Sequence, residues 1–464
     1  MTATQAARAA APGLRTIIGY GVGNFGFMLA WIPANFFLLN LYTDIYGLTG
    51  AQAGSIFLIA LIWDGITDPL MGGVVDRVKT RWGRYRPFIL FGSPLLGLCL
   101  ILAFTPPPDG SPTQLFTLAL VTQLLFRTAF TIVYIPYLGM IARISVDGET
   151  RSRIAGVKSL FVYIAFIFVS FAVPVLISKL GNGDRAHGYF FTAILLAAML
   201  IVLGGVTFLS TKEMPIANDE SEKRVSLKTT FRYFRSNWPI TIILFGVFVY
   251  STGFGVYNAS IIYVARYYYS AVSGIDTLAG GGATSAILTP QFIAALVFVP
   301  VWTWVCVRWG KKVCWIAGAL LAATGVVSLY IAQPTTLTGI STFYVIIGAA
   351  GPAYLIAFYA ITADAIDYGE LASGYRPEAA SYGLLSLANK AATGAGTFIL
   401  GVGLDRIGFV ANIQQSAEVA KGVLALATLA PAVAYIAAVI VVYFYPITPL
   451  RHQDIVEKLS QRSD

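Results

Sequence analysis

Asp64 and Asp68 stand four residues apart in a stretch otherwise free of charge, Leu61-Ile62-Trp63-Asp64-Gly65-Ile66-Thr67-Asp68-Pro69-Leu70. On a helix that spacing puts both carboxylates on one face, about one turn apart. Two such acids repel. A bound Na⁺ at Asp64 and Asp68, or a shared proton, relieves them, because hard cations prefer carboxylate oxygen and closely spaced acids resist double ionisation. The alternative is a structural pair neutralised by Lys390, which follows Asn389 in another apolar stretch. Arg127 precedes Thr131 and Tyr134 by four and seven residues, one stripe of a helix that can face an aqueous cavity. Its planar fork of donors fits a carboxylate, phosphate or sulfonate on a ligand, and fits Asp64 or Asp68 equally well. An ionisable group at bilayer depth costs roughly 2.5 to 3.5 kcal/mol on insertion scales, so each of these needs a partner or a task.

The elements that must position them are membrane helices. Of 464 residues 57% are hydrophobic and 11% charged, against about 25% charged in an average soluble domain. That composition excludes a soluble enzyme, a disordered chain and a disulfide scaffold. The +9 formal charge is gathered in short loops between apolar stretches rather than along one soluble face, so the bilayer explains it and nucleic acid is not a partner. Cys99, Cys306 and Cys314 lie in or beside apolar runs, where cysteine behaves as a small hydrophobe, so neither a disulfide nor a metal is expected. The first residues, to Pro12, lack the short apolar core and cleavage site of a signal peptide, so the stretch from Thr16 is expected to be a retained first helix.

Stretches of about 20 apolar residues, the length that crosses ~30 Å of hydrocarbon, fall near 16–40, 52–75, 87–105, 113–141, 157–180, 188–209, 239–265, 284–306, 313–332, 339–363, 379–403 and 422–446. The expected fold is therefore an all-α polytopic membrane protein of twelve helices. With both termini cytoplasmic, most loop Lys and Arg residues face inside, among them Arg77, Lys79, Arg81, Arg84 and Arg86, while the outside holds Lys179, Arg185, Arg266, Arg406 and Lys421. Arg81-Trp82-Gly83-Arg84 after the second stretch matches Arg308-Trp309-Gly310-Lys311 after the eighth. This internal repeat predicts two six-helix bundles, 1–209 and 239–446, joined by a cytoplasmic linker, 210–238, and followed by a cytoplasmic tail, 447–464. Parallel repeats around a midplane site are an architecture of secondary transporters.

At the inner end of the tenth stretch, Asp364-x-x-Asp367-Tyr368-Gly369-Glu370 is followed by Arg376 and Glu378. These acids need cations. The basic loops around Arg84 and Lys158 are expected to supply them, as a cytoplasmic salt-bridge gate that holds an outward-open state. Gly21-Val22-Gly23-Asn24-Phe25-Gly26 fits G-x-G-x-x-G but follows no strand and reads as close helix packing. Asn258-Ala259-Ser260 sits in an apolar stretch, out of reach of glycosylation. His187 and His452 fall in connections without a nucleophile or metal-ligand spacing nearby. No catalytic constellation is present.

The run Trp63 to Gly72, then Asp76-Arg77 and Arg81-Trp82-Gly83-Arg84-Tyr85-Arg86-Pro87, resembles the signature of the glycoside-pentoside-hexuronide:cation symporters of the major facilitator superfamily. The resemblance extends to Tyr42-Thr43-Asp44, Ile135-Pro136-Tyr137, Asp364 to Glu370, Tyr382 to Lys390 and Tyr443 to Pro446, essentially the whole chain. It implies that Asp64, Asp68, Thr131 and Lys390 form or border the coupling-cation site; the charges themselves set Asp76, Arg84, Asp364, Asp367, Glu370 and Arg376 as the expected cytoplasmic gate. The two sugar-binding aspartates of the melibiose carriers match Met28 and Tyr134 here, their asparagine associated with Na⁺ matches Thr67, Arg127 replaces a small residue, and Lys158 falls near their sugar-site arginine. Relative to that pattern the cavity loses two carboxylates and gains a guanidinium. The resemblance is nearer the glucuronide-type members.

The expected function is cation-coupled uptake of an acidic saccharide, a hexuronide, by alternating access, with Met28, Arg127, Tyr134, Lys158 and Lys390 on the sugar. The coupling ion is H⁺ or Na⁺, protons being favoured at the Thr67 position, and no cofactor is expected. The protein is expected in the bacterial inner membrane, a monomer among membrane lipids. Competing readings are a symporter for a neutral glycoside or pentoside, a lysolipid transporter, a sensor, and a membrane enzyme acting on lipid-linked sugar.

Overall fold

The computed structural model describes residues 12–78, 80–145, 148–213, 233–234, 237–269, 282–374 and 377–463. Thirteen long helices run through them: α1 Leu14–Asp44, α2 Gly50–Arg77, α3 Arg86–Ala103, α4 Pro112–Ile144, α5 Gly148–Gly181, α6 Arg185–Ser210, α7 Trp238–Tyr263, α8 Gly282–Trp309, α9 Lys311–Ala332, α10 Leu337–Ser373, α11 Glu378–Arg406, α12 Ala417–Tyr443 and α13 Pro449–Ser463. A π-helical turn, Val264–Tyr268, continues α7. Side-chain caps satisfy the orphan amides at the loop ends: Thr49 with Gln52 on α2 and Ser111 with Gln114 on α4 form reciprocal capping boxes. Asp184 caps α6 through the amides of Ala186 and His187, and the hydrogen bond from His187 holds its carboxyl below the usual range.

Among the described residues, eleven helices are long and apolar enough to cross a membrane. The twelve predicted stretches correspond to α1–α12, and the one outside that eleven is α11, whose 29 residues include Ser381, Tyr382, Ser386, Asn389, Lys390, Thr393 and Thr397. Polarity rather than length sets it apart, because it walls a cavity. The chain is a multi-pass membrane protein. Several helices outrun the predicted stretches; α10 continues to Ser373, which places Asp364 to Glu370 on the helix itself. The tail forms a short helix, α13, that packs on α10 with Ile455 buried.

The internal repeat is visible as packing. In the first six helices α1 packs on α5 and α6, α2 on α4, and α3 on α4 and α6; in the second six, α7 packs on α11 and α12, α8 on α10, and α9 on α10 and α12. Each contact recurs six helices later. Both repeat motifs turn on a glycine with positive φ, Gly83 at +106° and Gly310 at +96°, a conformation that side chains other than glycine rarely adopt.

Across the halves α1 packs on α7, α2 on α11 and α5 on α8. Close backbone and polar contacts cross at the end away from the chain termini. A Cβ added to Gly50 would meet the carbonyl oxygen of Gly401, and one added to Gly401 would meet that of Gly50, so two backbones touch there. The Asp405 carboxylate accepts the amides of Gly50 and Ala51, both at 2.7 Å. Between α5 and α8, the Ser170 and Thr289 hydroxyls lie 3.1 Å apart. At the end of α1, the buried Asp44 carboxylate pairs with Arg266 and with Arg185 at 3.5 Å, and accepts hydrogen bonds from Tyr267 at 2.6 Å and Thr43 at 2.8 Å. Arg266 and Tyr267 belong to the other half, as does Asn412, whose amide donates to the Asp44 carbonyl.

The end of the interface away from the chain termini is thus closed in the structure. Asp44→Asn is expected to loosen it: hydrogen bonds to a charged group contribute about 1.5 to 3 kcal/mol each, so a cysteine placed at Ser285 should be alkylated from the outer side roughly tenfold faster. An unchanged alkylation rate would mean that Asp44 does not hold the halves together.

Candidate functional site

A cavity of about 360 Å³ lies between the halves, within the range that holds a small-molecule ligand. Its wall takes Trp31 and Asn35 from α1, Tyr163 from α5, Asn258 from α7, Tyr354 from α10, and Asn389 and Lys390 from α11. Aromatic and aliphatic side chains line it, with amides among the polar points, a combination suited to the two apolar faces and hydroxyl rim of a sugar ring. The polar points are fixed by their neighbours. The Asn389 amide donates to the Tyr354 hydroxyl at 3.0 Å, which lies 3.1 Å from the Ser251 hydroxyl.

Beside this cavity the four charges meet. Arg127 Nη1 lies 3.3 Å from Asp64 Oδ2, with both side chains at most 1% exposed. Lys390 Nζ contacts Asp68 Oδ2 and lies 3.9 Å from Asp64 Oδ2. Thr131 Oγ1 donates to Asp68 Oδ1 at 2.8 Å. The i, i+4 relation of Asp64 and Asp68 on α2 faces the same relation of Arg127 and Thr131 on α4, so each acid finds one partner on the neighbouring helix. Two carboxylates and two cations balance, which is what low-dielectric surroundings demand.

Arg127 is buried behind the cavity wall: its Nη2 donates to Asn35 Oδ1 at 3.0 Å, and its guanidinium lies 4.5 Å over the Trp31 ring. Of its two expected partners, a ligand anion or a helix-two carboxylate, the structure pairs it with Asp64. Lys390 is in the wall itself. Met28, Tyr134 and Lys158 are not among the lining residues. Met28 is in the core, Tyr134 stacks between Phe130 and Tyr137 at 4.8 and 5.9 Å, and the Lys158 carbonyl accepts from Asn24 at 3.3 Å.

Of the residues expected at the cytoplasmic gate, Asp364 has other partners than expected. Asp364 pairs with Lys311 and with His452 at 3.1 Å, and His452 also lies 2.9 Å from Asp367. All of these belong to the second half, so Asp364 is answered from α9 and α13 rather than from the loops of Arg84 and Lys158. His452, expected in an idle connection, is on α13 between two carboxylates. Asp364, Asp367 and His452 put ligand atoms within 4.8 Å of one another, but the Lys311 ammonium already neutralises Asp364. The amides of Arg84, Tyr85 and Arg86 all donate to the Glu213 carboxylate at 2.8 to 2.9 Å, which ties that loop to the end of α6. Glu370 lies on the last turn of α10. The Asp76 side chain and Arg376 lie outside the described residues.

Trp31, Asn35 and the Asp44 cluster were not singled out from the sequence as site residues. An amide four residues after a tryptophan in an apolar helix was the available signal for the first two. The carboxylate of Tyr42-Thr43-Asp44 was visible only as part of a motif.

The profile of a family described as MFS/sugar transport protein matches residues 19–449. The chain belongs to that family. Among MFS/sugar transport proteins, the glucuronide carrier protein homolog of Escherichia coli (strain K12) is 28% identical over 453 residues, 97% of this chain and 96% of the relative. The isoprimeverose transporter of Lactiplantibacillus pentosus is 27% identical over 450 residues, 96% of this chain and 91% of the relative. The fold matches the crystal structure of a bacterial homolog of the human lysosomal transporter Spinster, inward-facing and unoccupied, with a TM-score of 0.65 at 14% identity over 96% of this chain and 97% of that one. The resemblance to glycoside-pentoside-hexuronide symporters is therefore borne out, and with it a transporter of the major facilitator type rather than an enzyme.

Because Thr131 donates a hydrogen bond to Asp68 at 2.8 Å, Thr131→Val is expected to cost about 0.5 to 1.5 kcal/mol, while Thr131→Ser stays near the native protein. The check is the thermal stability of the purified protein, with the valine variant expected to unfold several degrees lower than the native protein and the serine variant close to it.

Proposed function

We propose that this symporter imports an acidic glycoside of the hexuronide class, driven by H⁺ or Na⁺ entering with it, across a bacterial inner membrane with both chain termini in the cytoplasm. It would do so as a monomer of two six-helix units, 1–209 and 239–446, joined by 210–238, with the tail 447–464 beneath the second unit. The carrying observation is the position of Lys390, a cation in the cavity wall whose charge is held by Asp68.

A cation arriving at Asp68 replaces Lys390 there. The ammonium then needs another anion, and the carboxylate of a substrate in the adjoining cavity supplies it. Binding of the two cargoes is thereby linked, since each removes the other's competitor. Asp68 is on α2 and Lys390 on α11, so their pairing also bridges the halves and responds to their rocking. The glucuronide named for the Escherichia coli relative carries a carboxylate of this kind.

A neutral glycoside or pentoside is the second reading. It is favoured by the use of Arg127 on Asp64, which leaves Lys390 as the cation in the wall, and by the relative named for isoprimeverose, a neutral disaccharide.

Uptake by proteoliposomes under imposed pH or Na⁺ gradients decides between them, with 4-nitrophenyl glucuronide, galactoside and xyloside as substrates. Accumulation of the glucuronide alone supports the acidic reading; accumulation of only the neutral sugars overturns it. Asp68→Asn is expected to abolish gradient-driven accumulation and to keep sugar exchange, because the cavity survives the loss of the ion's carboxylate.

A further inference from the structure

We propose that Arg127 is a resident cation, fixed on Asp64, and that Asp68 alone therefore carries the exchanging coupling ion. This rests on the symport reading above and says which of the two paired carboxylates takes part in it.

The two ion pairs differ in what can break them. Arg127 and Asp64 are on α4 and α2 of the same half, fully enclosed, with Asn35 of α1 on one arm of the guanidinium and the Trp31 ring against its face. When one half rocks against the other, all four of these groups travel together. A guanidinium also cannot shed its proton, so this charge neither leaves nor vanishes during a cycle. Lys390 and Asp68 are on α11 and α2, in opposite halves, and are 23% and 20% exposed. The lysine is a flexible point charge at the cavity edge, held by a contact that the rocking motion itself strains.

Charge balance leads to the same assignment. An ion shared by both carboxylates would gather Arg127, Lys390 and the ion around two negative charges in a low-dielectric site. One ion replacing Lys390 at Asp68 keeps the balance, provided that Asp64 stays with Arg127. Arg127 thus sets the number of exchanging ions by filling the place of one.

The test compares singly and doubly neutralised variants in proteoliposomes, using 4-nitrophenyl glucuronide or whichever nitrophenyl glycoside the native protein accumulates. Asp64→Asn leaves a buried guanidinium unpaired and should lose most accumulation. Adding Arg127→Gln to it removes the orphaned charge and should recover accumulation by at least roughly tenfold over Asp64→Asn alone. The parallel pair, Asp68→Asn with Lys390→Gln, should exchange sugar as Asp68→Asn does and still accumulate none. A folded Asp64→Asn/Arg127→Gln protein that exchanges sugar but accumulates none overturns the proposal.

The native protein provides a measurement independent of any variant. Its ion-to-sugar ratio, from the accumulation reached at a series of imposed gradients, should be one, and a ratio of two overturns the proposal. No ion-driven accumulation of any of the three glycosides would overturn the symport reading as well, which separates the two failures.

Discussion

A charge in hydrocarbon has to be answered within a few ångströms, and the interior of this protein is organised around that constraint. Two acidic and two basic side chains on α2, α4 and α11 form one group beside the cavity, and the helices are packed to let them meet. α2 presents its two acids one turn apart, and α4 presents an arginine and a threonine at the same spacing. The polar α11 crosses from the other half to deliver the fourth charge. Removing any member would leave a buried charge uncompensated, which is why a group costly to assemble can persist.

Much of this was legible in the sequence, because membrane helices announce themselves by length and hydrophobicity and their charges by scarcity. Asp64, Asp68, Arg127 and Lys390 stand out for that reason, and the paired Arg-Trp-Gly motifs disclosed the two-fold plan. The partner of Arg127 was not legible: a planar donor fork fits a ligand anion and a helix-two carboxylate equally, and only the approach of α2 to α4 distinguishes them. The partners of Asp364 escaped for a related reason. Basic loops in the first half and Lys311 with His452 in the second offered the same chemistry, and sequence does not rank distances.

Amides and aromatics were harder still. Asn35 and Trp31 are ordinary residues in an apolar helix until the fold sets Arg127 behind them. The conformational state also lay beyond the sequence, since the residues that close one end exist whether or not that end is closed. In the structure Asp44 gathers cations from both halves at the end away from the chain termini, while Asp364 pairs with Lys311 and His452 of its own half.

The touching backbones of Gly50 and Gly401 bear on how tightly such a carrier insulates the membrane. A seam made of long side chains can part by degrees, with rotamers filling the gap as it widens. A seam of main chain on main chain, with Asp405 fastened to the first amides of α2, has little slack, so it is either shut or fully parted. An all-or-none seal gives small ions no half-open crevice to follow.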